Sequence, residues 1–88
     1  MNTDNIAVVI PALNEAACIA DVVRDALKQN VCEVFVIDDF SADGTAERAK
    51  QSGATVISLA SPLGAWGATQ TGIRFALQRG HSLSLIHI

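Results

Sequence analysis

Three observations predict an α/β fold built on a parallel sheet. Short, continuous apolar runs alternate along the chain with segments of helical periodicity. The runs do not alternate polar with apolar, so they read as strands buried on both faces. Polar and turn-forming residues gather just after the first two runs. The order is βαβαβαβ. It argues for a three-layer α/β/α arrangement with a four-stranded parallel sheet and right-handed crossovers; the expected strand order is 3-2-1-4.

The first strand is IAVVI at residues 6–10, ending at Pro11. Next, Ile19, Val22, Val23, Ala26 and Leu27 recur at helical spacing, with Asp21, Arg24, Asp25 and Lys28 opposite them. That predicts an amphipathic helix over 15–29, with Asn14 as N-cap and Glu15 at the positive end of its dipole. VFVI at 34–37 is the second strand. A helix over 44–52 follows, with Asp43 as its cap, Ala46 and Ala49 inward, and Gly53 at its end. Residues 55–59 form a third strand and 61–64 a loop. A helix over 65–79 turns Ala65, Ala68, Thr69, Gly72, Ile73, Ala76 and Leu77 inward, and Gly80 closes it. The apolar tail, 82–88, reads as a fourth strand.

Composition narrows the classes. Half of the 88 residues are apolar and 17% are charged, which is globular and not disordered. The formal net charge is −3 and the six basic residues do not cluster, so nothing points to nucleic acid. No signal peptide and no run long enough to span a bilayer is visible. The chain reads as cytoplasmic, with a place at the membrane surface open to the intact protein. Cys18 and Cys32 lack metal-ligand spacing and read as small core residues. His81 and His87 have no partner at a recognisable spacing and read as background.

In open parallel sheets a ligand lies beyond the carboxyl ends of the strands, where strand order reverses. The loops there are PALNE (11–15) and the stretch that begins DDFS (38–41). Successive strand side chains point to opposite faces, so Asp38 and Asp39 should not share a proton as a dyad. One carboxylate can brace the loop while the other accepts hydrogen bonds from a ribose hydroxyl or a base N–H. Equally, both can serve only the turn and the helix after it. PALNE holds no glycine, and no G-x-x-x-x-G-K-[ST] occurs, so both phosphate-cradling loops are absent. A receiver-type phosphorylation site would want acidic residues after the first strand, where Pro11 stands. The glycines of PLGAWGATQTG suit either tight helix–sheet packing or a backbone close to a ligand. Trp66 suits either a ligand or the edge of the core.

VVIPALNEAACIADVV, VFVIDDFSADGTAERAKQSGATVI and LGAWGATQTGIRFAL together resemble the N-terminal half of a family 2 glycosyltransferase with the GT-A fold. The dolichyl-phosphate mannosyltransferase-like branch is nearest in flavour. PALNE is moderately specific; the V-I-D-D-x-S-x-D-G-T segment is strong; the ordered set is stronger still. The resemblance implies a Rossmann-like, partial GT-A nucleotide-sugar-binding domain over 1–88. It implies a transferase that moves a sugar from a UDP- or GDP-sugar with inversion, to an acceptor such as polyprenyl phosphate. By that match Pro11, Ala12, Leu13 and Glu15 line the base and ribose, Asp39 hydrogen-bonds one of them, and Asp38 supports the loop or shares that role. Gly64 and Gly67 shape the helix start near the donor. Leu13 stands where many members carry Tyr, and Phe40 where Gly is common.

The family also carries an Asp-x-Asp segment that holds Mg²⁺ or Mn²⁺ on the donor diphosphate. No Asp or Glu follows Glu47 here. The expectation is therefore a chain that ends before the metal ligands, inactive alone and partnered by the missing C-terminal half. The alternative is a stand-alone nucleotide-binding or interaction module without transferase activity. A third is a small domain whose acidic loop is only structural. The tail SLSLIHI also resembles translated sequencing-adapter read-through, on which reading residues 82–88 are not native.

Overall fold

The structure, a computed structural model, describes residues 5–86. Its elements are β1 (Ile6–Ala12), α1 (Ile19–Leu27), β2 (Glu33–Asp38), α2 (Thr45–Gln51), β3 (Thr55–Ser58), α3 (Gly64–Gln78) and β4 (Ser82–Leu85). All strand pairs are parallel, as the alternation predicts, and the order is the expected β3-β2-β1-β4.

Two apolar clusters flank the sheet. On one face Val8, Ile10, Val34 and Val36 meet Ile19, Val23 and Ala26 of α1 and Ala49 of α2. On the other, Ala7, Val9, Phe35 and Ile37 meet Ala68 and Ala76 of α3. β1 and β2 therefore bury both faces, which is why they read as unbroken apolar runs. Phe35 is the largest fully buried side chain, and burial of this kind is worth about 2–3 kcal/mol for such a residue.

Several boundaries differ from expectation. α1 begins at Ile19, four residues later than predicted, because residues 15–18 form a turn in which Glu15 O accepts from the amides of Cys18 and Ile19. Asn14 is not its cap; it adopts a left-handed φ of 54° and its side chain bonds across to another loop. β3 stops at Ser58 and β4 at Leu85; residues 87 and 88 of the expected fourth strand, and with them His87, lie outside the described residues. On α3, Ala65 and Leu77 are exposed, so the inner face is narrower than the periodicity suggests and centres on Ala68, Thr69, Gly72 and Ala76.

The cysteines do not fill the core. Cys18 is half-buried and Cys32 exposed, both as free thiols. Each sits just outside an element, before α1 and before β2, where the chain has left the apolar interior. Trp66 is 70% exposed and covers no core edge. Leu85 is also partly exposed. A cavity of about 520 Å³ lies under α1 beside β4, and its walls are chiefly Ile6, Val8, Val22, Ala26, Val31 and Ile86.

Candidate functional site

The loop after β1 leads to α1 on one face of the sheet; the loop after β3 leads to α3 on the other. Between them, at the carboxyl ends of the strands, lies a second cleft of about 160 Å³. Pro11, Ala12, Leu13, Glu15, Asp39, Gly64, Ala65 and Ala68 line it. Six of the eight residues singled out in the sequence are thus on one surface.

Asp39 lies just past β2 and is almost wholly buried. Its backbone N–H donates to Ala12 O at 2.9 Å, which ties the two loops together. Its Oδ1 accepts the Leu63 N–H at 2.7 Å, just before α3. One carboxylate oxygen thus places the start of α3, and Asp39 still lines the cleft as an acceptor. Asp38, one residue earlier and in register with Ala12, does not line the cleft. Its Oδ1 accepts the Ser41 N–H at 3.2 Å and braces the turn. The two aspartates have separate jobs: Asp38 ends β2 and braces the turn, and Asp39, just past the strand, holds the start of α3.

Gly67 also stands off the cleft. A Cβ there would meet Leu63 Cβ at 2.6 Å, so this glycine lets the helix start fold back on itself. Gly64 opens α3 with a φ of +78°, a conformation other residues adopt at a cost, and its backbone faces the cleft. Gly72 serves helix–sheet packing instead. The glycine segment therefore divides between the two roles the sequence allowed it.

The stretch after the aspartates has a function that sequence reasoning missed. Asn14 N–H donates to Ser41 Oγ at 2.9 Å, and Ala42 N–H returns a bond to Asn14 Oδ1 at 2.9 Å. Glu15 N–H donates to the buried Thr45 Oγ1 at 3.0 Å, and Ala16 N–H to Asp43 Oδ2 at 3.1 Å. Asp43 Oδ1 accepts from Thr45 N–H and from the Thr45 hydroxyl. The Thr45 hydroxyl above all, then the amides of Ala16 and Thr45, hold the Asp43 carboxyl below the usual carboxylate range. Ser41, Asp43 and Thr45 are thus the scaffold on which PALNE is hung. Their turn chemistry was readable, but the partner loop, about thirty residues away, was not. Ala65, expected to face the core, is exposed and lines the cleft; Ala68, one helical turn on, is buried in the core as expected and also lines the cleft.

A parallel α/β sheet with an acceptor carboxylate in the crevice beyond its strands defines a ligand-binding domain of the Rossmann-like kind. More specifically, the chain belongs to glycosyl transferase family 2, whose profile matches residues 7–79. It is 39% identical over 77 residues to an uncharacterized protein of Methanocaldococcus jannaschii, covering 88% of this chain and 32% of that one. It is 43% identical over 54 residues to the glycosyltransferase AglJ of Haloferax volcanii, covering 61% of this chain and 18% of AglJ. Among solved structures it resembles glucosyl-3-phosphoglycerate synthase from Mycobacterium tuberculosis in complex with Mn²⁺, UDP and glucosyl-3-phosphoglycerate. The TM-score is 0.71 at 31% identity, over 96% of this chain and 33% of that one. The chain spans about a third of the length of the first of these relatives.

Proposed function

We propose that this chain is the nucleotide-sugar-binding half of an inverting glycosyltransferase. The observation that carries the reading is the meeting of PALNE, Asp39 and the start of α3 around one cleft. A carboxylate and an apolar wall suit a nucleoside: the base lies on Pro11, Ala12 and Leu13, and its N–H or a ribose hydroxyl donates to Asp39. A volume of about 160 Å³ accommodates part of a nucleoside and leaves the sugar and diphosphate outside. The complex of the mycobacterial synthase with UDP supports this choice of ligand. The inverting course and a polyprenyl phosphate acceptor come from the family resemblance.

Mg²⁺ or Mn²⁺ on a diphosphate needs several oxygen ligands. Among the described residues no group of three or more His, Cys, Asp or Glu could hold a metal ion, and Asp38 and Asp39 do not converge. The described residues do not fit the metal, and no step is routed through it. Among the described residues no helix is long and apolar enough to cross a membrane. We place the protein in the cytoplasm, with the membrane surface as the site of a lipid-linked acceptor.

The test is calorimetric titration of the chain with UDP and with GDP. Asp39→Asn keeps an oxygen for the Leu63 amide but turns an NH₂ donor towards the ligand's own donors. It is expected to weaken binding about tenfold or more while leaving the melting curve in place. Equal affinity in both proteins, or no binding by the wild type, removes the cleft from consideration.

A further inference from the structure

The opposite end of the sheet, where the parallel strands begin, carries a cluster the nucleotide reading does not use. Cys32 precedes β2, Glu33 opens it, and Arg79 and His81 lie between α3 and β4. Cys32 Sγ is 3.1 Å from His81 Nδ1 and 3.3 Å from Ile6 O. His81 Nε2 is 3.2 Å from Glu33 Oε1. Glu33 is itself held: its Oε2 accepts from Thr55 Oγ1 at 2.9 Å and pairs with Arg79 Nη1 at 3.3 Å. The His81 ring is mostly buried and packs 6.4 Å from the Phe35 ring, whereas Cys32 is exposed.

This order of groups determines the tautomer. An ionised carboxylate only accepts, so the ring's proton sits on Nε2 facing Glu33. The lone pair on Nδ1 then faces the thiol. A thiol beside a base, with the base oriented by a third group, is the arrangement that activates a nucleophile. Cys18 is the contrasting case. Its Sγ donates to Glu15 Oε2 at 3.1 Å. That bond, then partial burial and the nearby charges of Glu15 and Asp21, push the Cys18 thiol up, so it keeps its proton.

We propose that Cys32 is a reactive thiol, with His81 as its base, that exchanges with low-molecular-weight disulfides to form a mixed disulfide at the amino-terminal end of the sheet. The proton on Sγ passes to His81 Nδ1. The thiolate attacks one sulfur of the small disulfide, a new S–S bond forms, and the old one breaks. The second half leaves as a thiolate and takes up the proton from the imidazolium. The Cys32 sulfur is oxidised and the departing sulfur reduced, so no further oxidant is needed, and excess small thiol reverses the step. Glu33 is a positioning residue: it holds the ring and its tautomer.

The experiment treats the reduced chain with a limiting amount of oxidised glutathione and locates the adduct by peptide mass mapping. Cys32 is expected to react about tenfold or more faster than Cys18. It is also expected to react faster in the native chain than in concentrated urea, where it has no base. His81→Gln should slow Cys32 about tenfold without changing Cys18, and free imidazole should restore part of the rate to His81→Ala. Ring ¹⁵N chemical shifts should show the Nε2–H tautomer in the wild type and a mixture in Glu33→Gln. A Cys32 that reacts no faster folded than unfolded overturns the proposal even if the His81 variants do not fold. So does an unchanged Cys32 rate in a folded His81→Gln chain.

Discussion

Phe40 has a φ of 66° and is 57% exposed. A bulky side chain in the left-handed region costs roughly 1–2 kcal/mol, and little burial offsets it here. The position was legible as a departure, since Gly is common there in the family it resembles; the sign of φ was not. Phe40→Gly is expected to raise the unfolding free energy by about 1 kcal/mol, after the greater chain entropy of glycine is deducted. Phe40→Ala keeps the Cβ and should give no such gain. Urea melts of the three chains decide it, and equal midpoints for Gly and Ala would show that the strain is absent. The neighbouring aspartates were more readable: separate roles were expected, and Asp38, the last residue of β2, and Asp39, just beyond it, do bond to different partners. The cysteines were less so. Cys is usually buried, and nothing local to Cys32 reveals a histidine forty-nine positions away.

At the scale of elements, apolar pattern located the helices and strands among the described residues, most surely those that bury a stripe or two faces; β4, exposed throughout, was found by its apolar content alone. Boundaries failed where tertiary bonds compete with local propensity. The first turn predicted for α1 is surrendered because Asn14, Glu15 and Ala16 donate to Ser41, Thr45 and Asp43 instead of continuing a helix. α3 shows the converse, a helix shaped by what it touches. A Cβ on Gly72 would lie 2.3 Å from Val9 Cγ1 and 3.0 Å from Ile37 Cγ1. Both are buried, branched side chains on adjacent strands with no free end to swing aside. Alanine at a mid-helix glycine ordinarily gains about 1 kcal/mol. Here the overlap outweighs it, and Gly72→Ala is expected to destabilise by about 1–3 kcal/mol. Thermal melts showing a stabilised variant would mean that α3 can lift from the sheet at no cost.

The whole molecule is a sheet covered unevenly. α1 and α2 share one face and α3 has the other, but β4 receives little cover from either. All four of its residues are exposed. Leu83 and Leu85 stand in register with Ala7 and Val9, hence on the α3 face. Alternation made the parallel pairing legible and leaves the strand order open; the expected order 3-2-1-4 put β4 at an edge. Among the described residues nothing pairs with β4 beyond β1, and the cavity beside it is walled chiefly by apolar side chains, with Asp25, Gln29 and Ser84 also lining it. An open parallel edge next to exposed leucines is a template for another chain. The isolated 88-residue chain is therefore expected to self-associate, its weight-average mass rising with concentration in sedimentation velocity. Leu85→Lys places a charge on that edge at a site already 42% exposed. It should hold the chain near monomer mass over the same range, at a stability cost of about 1 kcal/mol for the lost burial. A wild-type chain that stays monomeric at every concentration would mean that four short, exposed residues are too little to recruit a partner strand. A variant that associates as strongly as the wild type would move the sticky surface from β4 to the cavity under α1.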